Sequence, residues 1–393
     1  RQPYLDSYNN IGYVDFHCSL PDHDVMVGCY YPTTSADYQK YPDVPLMING
    51  EDDVRGLGVL MKLPAKAFRW ISGYGCGVMN GAPVIKTARE KGENFIPVVF
   101  SHGNGMSRVL YSNICRSMAS SSTKVVVFSL GHSDQSACSH VYPDQDEPMY
   151  YGHYTQEQSK QGISFEAAIL EKAEWRVQET LSFINHLFEA KTEEICPGIS
   201  VRDLDLDHLT IAGQSFGCGT SVSCCQLDAR IKSCILLDPW LRSNIFRHDI
   251  IPLKQKTVII ATEIFNQAFL PLFYNNFDYV RTLVDYKQNG SDFYRLFLLR
   301  YATHICQCDL ASITGPEYHR MAFWKFADRV KQELESQRDS NQVVVTFLNS
   351  IRKAKPLELF DETLALPKTT HCKDLTRLNR EDLKATLNGL LSQ

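Results

Sequence analysis

Hydrophobic positions in this chain fall into two patterns, a strand-rich lead-in over about residues 1–90 and a regular alternation from Phe95 onward. In the lead-in, Ile11–Phe16 and Val25–Tyr31 are short β-branched and aromatic runs joined by the turn-rich Pro21-Asp22-His23-Asp24, which predicts an antiparallel pair. Pro32 to Pro45 reads as a polar loop. Leu57 to Ile71 carries apolar residues at helical spacing, until Gly73, Gly75, Gly77 and Gly81 break it.

Beyond Phe95, Ile96–Phe100 and Lys124–Phe128 predict buried strands, and a polar loop spans Gly131 to Gly162. A long helix is predicted from about Phe165 to Ala190, with Ile169, Ala173, Val177, Leu181, Ile184 and Leu187 as its inner stripe. Four more strands are predicted at Leu209–Ala212, Ile231–Leu237, Thr257–Ala261 and Leu296–Leu299, with later helices at Glu317–Leu334 and Val343–Ile351. Near-continuous apolar strands separated by helices imply an α/β fold with a mostly parallel sheet covered on both faces. No internal repeat or linker divides the chain. The expectation is one domain over residues 1–393, with an antiparallel, decorated N-terminal region and a helical C-terminal region.

His208 to Ala212 is a predicted strand that runs into Gly213-Gln214-Ser215-Phe216-Gly217, and small residues follow, as at the start of a helix. A nucleophile elbow needs that context, because the turn lifts a serine oxygen clear of the sheet and the flanking glycines let the backbone pass. The pattern points to an α/β-hydrolase serine nucleophile at Ser215. Serine becomes a useful nucleophile only when a histidine takes its proton and an acid orients that histidine. Asp238 directly ends the strand Ile231–Leu237; Asp278, Asp285 and Asp292 are weaker rivals because none directly follows an apolar strand. His304 follows the strand Leu296–Leu299, where the last member of the order Ser, acid, His belongs. Oxyanion donors are expected from the backbone of Phe216 and from Asn104, in the turn Ser101-His102-Gly103-Asn104-Gly105 after the strand Val98-Val99-Phe100.

Composition narrows the picture. Forty basic against 45 acidic residues make a mildly acidic chain with no long basic run, which argues against a nucleic-acid partner. No apolar stretch reaches the roughly 18 residues of a spanning helix. Thirteen scattered cysteines, several inside apolar runs, read as buried free thiols in a reducing compartment rather than as a secreted disulfide framework. Cys306-Gln307-Cys308 lacks the spacing and ligand number of a zinc site, so neither metal nor cofactor is expected. An intracellular, cytoplasmic location is expected, and the start at Arg1 also fits a processed organellar (mitochondrial) protein.

Phe100-Ser101-His102-Gly103-x-Gly105, Arg108-x-Leu110-Tyr111-Ser112, Ser136-Ala137, G-x-S-F-G, Leu237-Asp238-x-Trp240, and His304 with Asp309 occur in this order over roughly residues 10–350. Together they resemble the platelet-activating factor acetylhydrolases of the plasma and intracellular type II kind. The resemblance implies a calcium-independent serine lipase that hydrolyses the short or oxidised sn-2 acyl chain of phospholipids. It makes Ser215 nucleophile, Asp238 acid and His304 base, with Phe216 and Asn104 framing the oxyanion hole. The chain departs from that family at Asn104, where leucine is usual, at Gln214, where histidine is usual, in the loop Gly131–Gln135, and at Ile305, Cys306 and Gln307. Three readings follow: a lipid-ester hydrolase, a small-ester or thioester esterase, and a fold-retaining accessory subunit with protein partners. A lipid substrate would call for peripheral membrane contact, for which the aromatic-rich run Phe265, Phe269, Leu270, Leu272, Phe273 and Tyr274 is a candidate.

Overall fold

The computed structural model describes residues 10–85, 94–143, 145–190, 194–241, 253–263, 265, 294–300, 302–313, 327–352 and 372–374, without the side chains of 327–333, 373 and 374. Its strands are β1 (Ile11–Ser19), β2 (Asp24–Pro32), β3 (Asp43–Pro45), β4 (Gly75–Asn80), β5 (Ile96–Ser101) and β6 (Val125–Gly131). Two small ribbons follow, β7 (Ser139–His140) with β8 (Met149–Tyr150) and β9 (Glu194–Cys196) with β10 (Ile199–Ser200). The chain continues with β11 (Thr210–Gln214), β12 (Ser233–Leu237), β13 (Lys256–Thr262), β14 (Tyr294–Leu299) and β15 (Cys372–Asp374). The helices are α1 (Glu51–Met61), α2 (Ser112–Ala119), α3 (Gln156–Lys160), α4 (Phe165–Glu189), α5 (Phe216–Leu227) and α6 (Ala327–Ser350).

Eleven strands form one sheet in the order β15-β14-β13-β12-β11-β5-β6-β2-β1-β4-β3. The six from β14 to β6 are mutually parallel, and β2 then runs antiparallel to both β6 and β1, as the N-terminal pattern predicts. This is the α/β-hydrolase topology. From β5 the chain moves outward to β6 in one direction, and β11 lies on the other side of β5, so a switch point opens between β5 and β11. Ligand sites of open α/β sheets lie at such a point, outside the carboxyl ends of the strands.

Successive residues of β5 alternate between the two halves of the core. Val99 packs with α4 and α5 residues such as Val177, Phe183, Leu187 and Val222, while Val98 and Phe100 pack with Ile114 and Met118 of α2 and Val343, Val344 and Phe347 of α6. Each fully buried aliphatic or aromatic side chain of this kind contributes about 1.5–3 kcal/mol. The α4 stripe is buried as its spacing predicts, with Leu181 only partly so, yet Arg176, Glu179 and Thr180 are buried on the same helix. None of the thirteen buried cysteines forms a disulfide.

Several elements differ from the sequence pattern, beginning with β3, which lies at the end of the loop expected over Pro32–Pro45 and pairs with β4. The helix expected over Leu57–Ile71 runs instead over Glu51–Met61. It stops where Lys62 takes a left-handed conformation (φ 53°) and the N–H of Leu63 returns to the carbonyl of Gly58, and short 3₁₀ turns follow. The glycine-rich break is strand β4, because the Asp43 carboxylate lies close over Gly75 and accepts from the N–H groups of Gly77 and Val78. Within the polar loop Gly131–Gly162 lie β7, β8 and α3. The helices expected at Glu317–Leu334 and Val343–Ile351 are one continuous α6 across their polar gap, where Ser336, Gln337, Ser340 and Asn341 are buried; residues 317–326 lie outside the described residues.

Candidate active site

Strand β11 enters the sheet between β5 and β12 and ends at Ser215, whose backbone is held at φ 53°, ψ −114° before α5 begins at Phe216. A left-handed φ at a non-glycine residue is uncommon and persists only when its surroundings enforce it. Here the Ser215 N–H donates to the Leu237 carbonyl (3.0 Å), and its own carbonyl accepts from the N–H groups of Cys218 (3.0 Å) and Trp240 (3.2 Å). A Cβ on Gly213 would lie 2.3 Å from the Gly217 carbonyl oxygen, so the tight crossing demands glycine. Ser215 is only 4% exposed, at the carboxyl edge of the sheet.

Asp238 follows β12, also with a left-handed φ of 47°. Its Oδ1 accepts from the N–H of Thr262 (2.8 Å) and its Oδ2 from the Thr262 hydroxyl (2.5 Å). The same Oδ2 lies 2.6 Å from His304 Nδ1, and His304 Nε2 lies 2.7 Å from Ser215 Oγ. An ionised carboxylate can only accept, so the network assigns the proton of the neutral imidazole to Nδ1 and turns the Nε2 lone pair toward the serine. Phe265 stacks on the His304 ring at 3.7 Å between centroids and 17° between planes, which fixes the ring's rotation. That aromatic therefore faces the imidazole; the other members of its sequence cluster, like Asp278, Asp285 and Asp292, lie outside the described residues.

The turn after β5 is anchored from beneath. His102 is fully buried, and its carbonyl accepts from Arg176 Nη1 (2.6 Å). Gly105, at φ 79°, donates its N–H to the Ser136 carbonyl (2.6 Å), and Gly103 donates to the Tyr111 hydroxyl (3.1 Å). Arg176 also donates to the Asp134 carboxylate (3.0 Å) and to the Ser136 hydroxyl. Between these anchors the N–H of Asn104 has no partner among the described residues, while its side-chain amide donates to Tyr151 (2.9 Å). Phe216 is the first residue of α5, so its N–H has no acceptor within the helix.

A second Ser-His-acid chain sits close by. Ser101 Oγ is 2.8 Å from His132 Nε2, and His132 Nδ1 is 2.7 Å from Glu179 Oε2. All three side chains are fully buried. Burial pushes His132 well below the ordinary imidazole value, with Arg176 adding to the effect, and pushes the Glu179 carboxyl up. Linking the end of β5, the residue after β6 and α4, this chain ties three elements together, and its imidazole is fully buried whereas that of His304 is 26% exposed. Ser101 and Tyr111 stand in the motifs quoted for the family resemblance and His132 in the loop Gly131–Gln135, none with an assigned role; sequence reasoning singled out neither Glu179, Arg176 nor Thr262. Their polar partners lie tens of residues away, and no local spacing signals them.

Comparison with known proteins follows the same lines. The family model described as platelet-activating factor acetylhydrolase, isoform II, matches residues 9–361. Platelet-activating factor acetylhydrolase of Gallus gallus is 25% identical over 178 residues, 39% of this chain and 40% of that protein. The protein of the same name from Cavia porcellus is 25% identical over 316 residues, 71% of this chain and 61% of that protein. The chain thus spans less than two thirds of the length of these relatives. Among solved structures, a ferulic acid esterase from Streptomyces cinnamoneus superposes with a TM-score of 0.62 at 15% identity, covering 95% of this chain and 98% of its own, a likeness of fold alone.

Proposed function

Since this chain belongs to the platelet-activating factor acetylhydrolase isoform II family, we propose that it is a serine ester hydrolase whose nucleophile is Ser215. The observation that carries the reading is the continuous path from Asp238 through His304 to Ser215, with contacts of 2.6 and 2.7 Å. Ser215 Oγ attacks the ester carbonyl carbon while His304 Nε2 takes its proton, and Asp238 stabilises the resulting imidazolium. The N–H groups of Phe216 and Asn104 receive the oxyanion, each such donor being worth about 3 kcal/mol in the transition state. Collapse expels the alcohol with the proton from His304 and leaves an acyl-serine. Water, deprotonated by His304, then releases the carboxylic acid and restores Ser215.

The substrate class proposed is a phospholipid carrying a short or oxidised sn-2 acyl chain, in keeping with the names of the relatives. Peripheral membrane contact belongs to the same reading. Val59, Met61, Leu63 and Trp70 are exposed, and the neighbouring Leu60 packs toward Gly105 of the oxyanion turn, so this apolar edge borders the site. No helix among the described residues is long and apolar enough to cross a membrane. Thirteen buried cysteines, none of them in a disulfide, support residence in a reducing compartment.

Labelling with a fluorescent fluorophosphonate tests the chemistry. The wild type is expected to label and Ser215→Ala and His304→Ala are not; a folded wild type that stays unlabelled overturns the reading. Phospholipids of graded sn-2 chain length then test the substrate class, with turnover expected to fall as the chain lengthens.

A further inference from the structure

Gln214, the residue before the nucleophile, is 3% exposed, and its side chain reaches both flanks of the site. Its Nε2 donates to the backbone carbonyl of His304 (2.9 Å), and its Oε1 accepts from the Tyr111 hydroxyl (2.7 Å). Tyr111 in turn accepts from the N–H of Gly103 in the oxyanion turn (3.1 Å). The polarity of this chain admits one orientation. A carbonyl can only accept, so the amide nitrogen must face His304; the tyrosine oxygen already accepts from Gly103, so its own proton points to Oε1. Packing enforces the arrangement as well: a Cβ on Gly103 would meet Gln214 Oε1 at 2.3 Å and the Tyr111 oxygen at 2.7 Å.

We propose that Gln214 is a positioning residue that straps the oxyanion turn and the His304 segment to the nucleophile, fixing base and oxyanion donors relative to Ser215. The proposal rests on the hydrolase reading above. Gln214 moves no proton and touches no reacting atom. It acts by offering one donor and one acceptor in opposite directions from the residue adjoining the nucleophile, and because an amide does not titrate, the strap holds at every pH.

That last property supplies the test. In Gln214→Glu a protonated carboxyl keeps both bonds, donating to the His304 carbonyl and accepting from Tyr111. Once ionised it can only accept, and it sets an anion against that carbonyl. The ratio of Q214E to wild-type kcat on p-nitrophenyl acetate, at pH values where circular dichroism shows both proteins folded, is expected to fall about tenfold or more between pH 5 and 8.5. KM should change little. A folded Q214E whose ratio is flat across that range overturns the strap while leaving the hydrolase reading intact. Should Q214E fail to fold, Tyr111→Phe decides: lower kcat at unchanged KM supports the strap, and unchanged kcat overturns it. A wild type that neither turns over the ester nor labels with fluorophosphonate sinks the hydrolase reading itself, and the strap with it.

Discussion

The guanidinium of Arg176 lies over the ring of Phe216, 4.7 Å from its centroid, and the same guanidinium donates to the carbonyl of His102. One buried cation therefore touches the side chain of the residue after Ser215 and the backbone of the turn after β5. A desolvated cation–π contact is worth about 2 kcal/mol, and removing the cation would leave Asp134 buried without its partner. Arg176→Met is expected to lower unfolding free energy by about 3–5 kcal/mol. Arg176→Met with Asp134→Asn should recover part of that loss, as urea unfolding of the three proteins would show. Equal losses in single and double variants would mean that the unpaired charge is not what costs the stability.

Gly217 permits the close passage of α5 under β5. A Cβ there would lie 2.1 Å from the Ser101 carbonyl oxygen and 2.9 Å from that of His102, both backbone atoms that cannot swing aside. Gly217→Ala is expected to destabilise the fold by about 3 kcal/mol and to slow fluorophosphonate labelling, since the turn after β5, the proposed source of an oxyanion donor, must shift. Labelling at the wild-type rate in a folded G217A would show that the turn's position tolerates displacement.

How much of this was legible in the sequence depends on the range of the physics involved. Strands β5, β6, β11, β12, β13 and β14 stand out because each is buried on both faces and so reads as an uninterrupted apolar run. The approach of Asp238 and His304 to Ser215 follows from each standing just beyond a strand end on one edge of a parallel sheet. Arg176 and Glu179 are polar letters on an amphipathic helix, a pattern that ordinarily faces water, and only their distant partners Asp134, His102 and His132 explain their burial. Asp309 caps the N-terminus of α2 through the N–H groups of Ser112 (2.6 Å) and Asn113 (3.0 Å), nearly two hundred residues away in sequence. Capping rules look to adjacent residues and cannot see such a partner.

The apolar edge at Met61, Leu63 and Trp70 makes a separable prediction. Met61→Glu with Trp70→Ala removes two large exposed groups, each worth about 1.5–3 kcal/mol on full burial. Binding to phosphatidylcholine vesicles, followed by flotation, is expected to weaken about tenfold or more, while hydrolysis of soluble p-nitrophenyl acetate should stay at the wild-type rate. Unchanged vesicle binding would overturn the role proposed for this edge.

Acid should weaken the fold through its buried histidines. Burial drives His140 down to about 3, with Arg108, His132 and His17 adding repulsion, and neither ring nitrogen finds a hydrogen-bond partner among the described residues. His102 and His132 are likewise held well below 6.5, by burial first and by Arg176 next. A histidine kept neutral in the fold takes up a proton on unfolding once pH drops below about 6.5, so its contribution is complete above that value and shrinks as pH falls toward its folded value. The slope is about 1.4 kcal/mol per pH unit for each such group. The carboxyls of Glu179 and Asp53 are raised by burial and act in the opposite sense, retaining protons in the fold and so losing stability as pH rises. A single-site comparison isolates one histidine from this mixture. His140→Phe keeps an aromatic ring against Tyr142, now 4.4 Å away, and cannot take a proton. Between pH 7.5 and 5.5 the unfolding free energy of H140F should gain about 1.4 kcal/mol relative to wild type. A constant difference across that interval, measured by urea unfolding, would show that His140 is protonated in the fold or rehydrated within it.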